Sequence, residues 1–302
     1  MNNALLYAAT VFIWGTTWYG IKLQLGVVAP EASIAYRFAL AALLLVAWCR
    51  LRGLDLRFSL RQHGFAALLG LLLFSFNYEL FYLATGTVTS GLVALSFSLM
   101  VVLNALFGAL FLVAPLRPRV LLGGLVGVAG IALVYGPEIA GLGGAHATPG
   151  GLALCVAATV SASLGNIVSA RNQRAGMPVV ATNAVGMAYG ALFMTAAAIA
   201  AGRSFDFDPS PVYVGSLLYL ALFGSVVAFG CYLTLLGRIG ADRAAYAMIL
   251  HPLVALGIST LLEGFRWDWL ALAGVALVVA GNVLVLSQGF PPKSRAARPR
   301  PW

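Results

Sequence analysis

The chain has 302 residues, 61% of them hydrophobic and only 9% charged, with a net charge of +9. A soluble domain carries roughly 25% charged residues, and no soluble core hides this much apolar surface, so lipid is the main solvent. Long apolar runs such as Phe38 to Trp48 and Leu270 to Leu286 lack the period-2 alternation of barrel strands, which leaves an all-α membrane protein whose backbone groups are satisfied within helices.

Polar or turn-rich breaks predict ten spans, at 4–24, 31–50, 63–84, 88–112, 118–137, 150–171, 178–201, 211–236, 243–263 and 268–287, each near the ~20 residues a crossing needs. The first lacks a basic leader and a small-residue cleavage site, so it reads as a retained span. Trp14 and Trp18 lie four apart on it, hence on one face, and each indole N–H needs a partner. They are candidates for a cavity wall against an apolar or aromatic substrate; packing between helices is the alternative.

In the third span Asn77, Tyr78 and Tyr82 cluster with Phe81. Tyr82 also suits an interface anchor; Tyr78 lies deeper. Glu79 is the only carboxylate inside a first-half span, and an intramembrane acid is a functional candidate by default. It would bind a substrate ammonium or carry a proton. The structural reading, an ion pair with Lys22 or Arg37 at similar depth, ranks ahead of that role. In the fourth span Ser96, Ser98 and Asn104 are polar, and Gly123, Gly127 and Gly130 in the fifth form a small-residue packing seam.

The sixth span is unusually polar (Thr159, Ser161, Ser163, Asn166 and Ser169), unlike a lipid-facing helix. Either these residues line an aqueous cavity or they allow close packing. His251 sits near the centre of the ninth span, before Pro252, which removes a backbone bond and kinks the helix. It is a candidate for sensing or moving a proton. Tyr246 shares its face only if the kink turns them together. Cys49, Cys155 and Cys231 lie singly in apolar segments, so neither a metal site nor a disulfide is indicated; no cofactor is expected.

Of the 18 Lys and Arg residues, 14 fall on one side: Arg50, Arg52, Arg57, Arg61, Arg117, Arg119, Arg171, Arg174, Arg238, Arg243, Lys293, Arg295, Arg298 and Arg300. The positive-inside rule makes that side cytoplasmic, with both termini. The basic surplus is therefore topological, and nucleic acid is not an expected partner. The basic, Pro-rich stretch 291–302 reads as a disordered tail.

Short patterns recur about 150 residues apart. Ala8-Ala9-Thr10-Val11 returns as Ala157-Ala158-Thr159-Val160, Gly123 and Gly130 as Gly274 and Gly281, and Pro30 as Pro178. The expected organisation is thus two five-helix repeats, 1–137 and 138–290. Five is odd, so the second half starts from the opposite side and the repeat is inverted. Such paired halves around a midplane site are a transporter design.

Trp14-Gly15-Thr16, Ile21-Lys22, Pro30-Glu31 and Tyr36-Arg37-Phe38, with Leu250-His251-Pro252-Leu253, Glu263 and the Gly274–Gly281 helix, resemble the drug/metabolite transporter superfamily in its EamA-type branch. The resemblance implies a ten-helix inner-membrane carrier of amino acids or other small metabolites, often outward, with the aromatic and neutral amino-acid exporters as the nearest likeness. Two departures break strict symmetry: Met100 stands where Pro252 has its repeat position, and Glu263 has no acidic counterpart at the end of the fourth span. The expected function is export by alternating access from a monomer in the bilayer, acting on a small-molecule substrate. A passive uniporter, a drug efflux protein and, remotely, a membrane-embedded enzyme are the alternatives. An enzyme would need a paired nucleophile and base, paired acids or a metal cluster in the membrane, and none is visible in the spans.

Overall fold

Polar caps set where the helices begin. In the computed structural model, which describes residues 2–113, 118–139, 148–239 and 247–286, helix α1 (Asn3–Lys22) starts where the Asn2 side chain accepts the Leu5 N–H at 2.8 Å. Helices α2 (Pro30–Leu51) and α6 (Pro149–Arg174) open on a proline, whose missing N–H costs nothing in a first turn. Helix α3 (Leu60–Thr85) opens on a capping box between Ser59 and Gln62, which satisfies two orphan donors reciprocally. Helix α4 (Ser90–Leu112) is interrupted at Ser98 and Leu99. Next come α5 (Pro118–Ile139), α7 (Val179–Ala200) and α8, which runs from Pro211–Tyr219 through Leu220–Val227 into Ala228–Ile239. Last are α9 (Ala247–Leu262) and α10 (Trp269–Leu286).

Among the described residues the chain is wholly helical, and each predicted span holds a helix. By length and composition seven are fit to cross a membrane: α1, α2, α3, α4, α6, α7 and α8. The apolar stretches in α5, α9 and α10, at Leu121–Gly136, Leu250–Leu262 and Trp269–Leu284, are shorter. The expected tail 291–302 lies outside the described residues. Large apolar side chains such as Leu43, Leu125 and Leu192 stand exposed on the outer surface, the pattern of a protein whose solvent is lipid.

The principal helix neighbours are α5 with α10, α2 with α7, α1 with α9 and α8, α6 with α4 and α3, α4 with α9, α2 with α8 and α7 with α3. Exchange each helix for the one five places on, and this set maps onto itself. The glycine seam repeats the relation at atomic scale. A β-carbon on Gly130 would stand 2.5 Å from the Gly274 carbonyl oxygen and 2.8 Å from the Val278 nitrogen. One on Gly281 would stand 2.5 Å from the Gly123 carbonyl oxygen and 2.7 Å from the Gly127 nitrogen. Each residue of the second contact lies 151 positions from its counterpart in the first. As the contact moves down α5 from 130 to 123 it moves up α10 from 274 to 281, so these two helices run antiparallel. Glycine is needed here because only it lets the backbones approach so closely.

Candidate functional site

Trp14 and Trp18 do share a face of α1, and that face meets aromatic rings from four other helices. Trp18 packs edge-on against Phe81 of α3 at 5.0 Å and tilted against Phe97 of α4 at 5.3 Å, and it stacks 6.4 Å from His251 of α9. Trp14 lies 5.2 Å from both Phe229 and Tyr232 of α8. Phe229 in turn meets Phe74 of α3 at 6.0 Å. Gly15, between the two tryptophans, seats α1 on α9: a β-carbon there would be 2.6 Å from Val254 Cβ and 3.0 Å from the His251 carbonyl oxygen.

This aromatic region carries buried polar atoms without partners. Trp18 Nε1, Asn77 Oδ1 and Ser98 Oγ are all enclosed and unbonded. Asn77 lies between Phe74 and Phe81 on one face of α3. Ser98 follows Phe97 and sits where α4 is interrupted. A donor and two acceptors left open among rings offer polar anchors beside apolar walls, the composition of a small-molecule site. Leaving such atoms unpaired costs about 1–3 kcal/mol each, a cost that a ligand's own groups would remove. His251 is 1% exposed, with Nδ1 3.3 Å from the Ala247 carbonyl oxygen one turn earlier. Tyr246 lies outside the described residues.

Two features escaped sequence reading. The middles of α3 and α8 are wound as π-helix, over Leu72–Phe76 and Leu220–Val227. Ser75 Oγ donates to the Gly70 carbonyl five residues back at 3.1 Å, and Ser225 Oγ donates to the Leu220 carbonyl at the same spacing and 3.1 Å. Both the serines and their acceptors lie 150 positions apart. Carbonyls in the loosened turns are taken by neighbouring helices: Ser161 Oγ of α6 donates to Leu72 O at 2.9 Å, and Trp14 Nε1 donates to Gly224 O at 3.2 Å. Such π-bulges recur at functional sites. A serine inside each apolar run, 150 positions apart, was the available signal.

The tyrosines of α3 divide. Tyr82 is fully buried and donates to Gln24 Oε1 at 2.5 Å, so it is no interface anchor. The Tyr78 ring packs on Phe38 at 4.8 Å and lies under the Arg37 guanidinium at 4.6 Å. Arg37 is 1% exposed, and its Nε donates to Ser225 Oγ at 3.2 Å.

The expected ion pair of Glu79 is corrected. Among the described residues Lys22 pairs instead with Glu263, Nζ to Oε1 at 2.6 Å, and the other pair is Arg203 with Glu31 at 3.3 Å. Glu263 lies at the end of α9, directly opposite the end of α1, and wins Lys22 because it is already embedded in donors. The Ser90 N–H stands 3.0 Å from Oε2, and the hydroxyls of Ser90 and Ser259 donate to the same oxygen. Gly264, with φ +72°, ends the helix just beyond it. Three helix ends are thereby tied together: α1, α4 and α9. Glu79 Oε2 is buried without a hydrogen-bond partner.

The polar residues of α6 face α4 and α3 rather than the rings around Trp14. Ser163 donates to Asn104 Oδ1 at 2.7 Å, and Asn166 Nδ2 approaches Met100 Sδ at 3.0 Å. Ser163 lies 149 positions after Trp14, and each reaches across to a different neighbour. Among the described residues no three of His, Cys, Asp and Glu gather as a metal site would require.

The comparisons with known proteins agree with this architecture. The sequence profile of the EamA-like transporter family matches residues 2–136 and 149–287. An uncharacterized inner membrane transporter of Escherichia coli K12, YedA, is 30% identical over 91% of this chain and 90% of its own length. A probable amino-acid metabolite efflux pump of Salmonella typhimurium is 26% identical over 93% of each. A solved crystal structure superposes with a TM-score of 0.65 at 21% identity, covering 93% of this chain and 95% of that one, a likeness of fold alone. With a profile that spans nearly its whole length, this multi-pass membrane chain belongs to the EamA-like transporter family.

Proposed function

We propose that the protein is a secondary carrier of the bacterial inner membrane that exports amino acids, neutral and aromatic ones foremost, or similar small metabolites by alternating access. Its ten helices form two inverted five-helix repeats with both termini in the cytoplasm. The observation that carries this reading is the self-mapping contact pattern, with its antiparallel contacts between α5 and α10. A two-fold relation between antiparallel helices has its axis across them, in the membrane plane, as inverted repeats require. Two near-equivalent packings of one sequence then open one site to opposite sides. The twin π-turns of α3 and α8 add a matched pair of loosened segments beside that site.

The substrate class follows from the lining: Trp14, Trp18, Phe81 and Phe97 suit an apolar or aromatic side chain, while Trp18 Nε1, Asn77 Oδ1 and Ser98 Oγ await polar groups. The relatives named as amino-acid metabolite efflux pumps support the outward direction and the substrate class. On this reading the Lys22–Glu263 contact is a closed outer end; at the matching end of α4, among the described residues, the Leu112 carbonyl accepts from Arg174 at 3.3 Å.

The test is uptake of labelled neutral and aromatic amino acids into proteoliposomes, with and without a pH gradient. Saturable uptake with competition among related amino acids is expected. Indifference to the gradient would remove proton coupling through Glu79 or His251. Absence of uptake for every amino acid would move the substrate to another metabolite class.

A further inference from the structure

Among the described residues Arg37 is a charge without a salt-bridge partner. It lies in the second turn of α2, 1% exposed, among the largest fully enclosed side chains of the protein. Its neighbours are neutral: Ser225 Oγ at 3.2 Å, the Tyr78 ring at 4.6 Å, and the Tyr82 hydroxyl. Neither ion pair found among the described residues includes it. Nη1 is enclosed and has no hydrogen-bond partner.

A guanidinium cannot shed its proton in a protein, so burial cannot neutralise it as it would a lysine. An intramembrane arginine persists where it serves a function or finds a partner. The resident partners here take Nε and one face, and leave the Nη1 donor without a partner. A charged donor of that kind is complemented by an anionic oxygen, and a carboxylate is the anion that arginine binds through charge-assisted hydrogen bonds.

The position connects Arg37 to the aromatic region. A β-carbon on Gly224 would stand 3.4 Å from Arg37 Nη2, and the carbonyl of the same glycine accepts the Trp14 indole at 3.2 Å. Arg37 and Trp14 therefore approach one residue of the α8 π-turn from two helices. A ligand with its carboxylate at Arg37 would lie beside the residue that Trp14 also meets, so its apolar group would face the Trp14 side of the aromatic region.

We propose that Arg37 receives the substrate's carboxylate, which makes a carboxylate-bearing small molecule, rather than an organic cation or a neutral drug, the cargo. The inference deepens the carrier reading above and rests on it for the word cargo; the binding chemistry stands on the geometry alone.

The test is equilibrium binding to the detergent-solubilised full chain, read by tryptophan fluorescence, with three probes that differ by one group each: phenylalanine, 3-phenylpropionate (no amine) and phenylethylamine (no carboxylate). Both carboxylates are expected to bind at least ~10-fold tighter than the amine, and Arg37→Gln to lose that ~10-fold preference, the scale of one charge-assisted bond. Arg37→Lys should keep part of it. Equal binding of phenylethylamine and phenylalanine, an Arg37→Gln protein that keeps the wild-type preference, or no binding by either carboxylate would each overturn the proposal. Should Arg37→Gln not fold, the three probes on the natural protein decide. Failure of the carrier reading shows elsewhere, as absent uptake in proteoliposomes, and leaves the binding comparison readable.

Discussion

Replacing Glu263 by glutamine should release the outer tie between α1, α4 and α9. The carboxylate accepts from Lys22 Nζ at 2.6 Å, from the Ser90 N–H at 3.0 Å, and from the Ser90 and Ser259 hydroxyls, while its side chain is 1% exposed. Lys22 is 40% exposed, so water screens the ion pair and its worth falls near the surface range of about 0–1 kcal/mol. The serine bonds are enclosed and charge-assisted, about 1.5–3 kcal/mol each. Glutamine keeps one acceptor oxygen but turns an N–H group toward two hydroxyls. A net loss of about 2 kcal/mol is expected, equivalent to about a 30-fold shift between closed and open outer ends. Ser98, buried at the break in α4, reports that opening. Ser98→Cys, in a chain whose Cys49, Cys155 and Cys231 are buried, should react slowly with an impermeant thiol reagent applied outside cells. Adding Glu263→Gln should speed the reaction about 10–30-fold. A rate within about twofold of the parent, in protein that still unfolds cooperatively, would refute the tie as an outer latch.

Other consequences follow from the same contacts. Gly130→Ala would force α5 from α10, since its β-carbon meets backbone at 2.5 Å; overpacking of about 1–3 kcal/mol should lower the thermal midpoint in detergent. Gly127→Ala, open around its own β-carbon, should be neutral or slightly stabilising by helix propensity, and equal losses for the two would refute the seam. Trp18→Phe keeps the ring contacts and removes the unpaired N–H, so KM should rise about 2–10-fold at unchanged expression, the worth of one hydrogen bond; an unchanged KM would take the indole out of substrate binding. Ser75→Ala and Ser225→Ala should each cost about 1 kcal/mol by freeing a π-turn carbonyl, measured as unfolding midpoints, and Ser225→Ala should cost more because it also strips Arg37 Nε of its acceptor.

Much of the fold was legible because lipid imposes a simple rule: each apolar run between polar breaks must be a helix. The helix positions, the face shared by Trp14 and Trp18, and the Gly123, Gly127 and Gly130 seam of α5 all follow from length, spacing and small residues. Partners across the bundle were not legible, because they depend on which helices meet. Glu79 and Lys22 have similar depth and opposite charge, yet Lys22 turns to Glu263, which Ser90 and Ser259 already surround. Ser163 goes to Asn104 and not toward the neighbours of Trp14, because α6 faces α4 as α1 faces α9. The π-turns left only two serines at equal offset as a trace, since the apolar pattern around them does not change.

Counterflow tests the central claim most directly. Proteoliposomes loaded with unlabelled phenylalanine would be diluted into a trace of labelled phenylalanine, and the internal label followed with time. A carrier that alternates around one site should show a transient overshoot of label above the external concentration, abolished when the interior is empty. Label that only rises to equality, whatever the loading, would contradict alternating access and leave a passive pathway in the same fold.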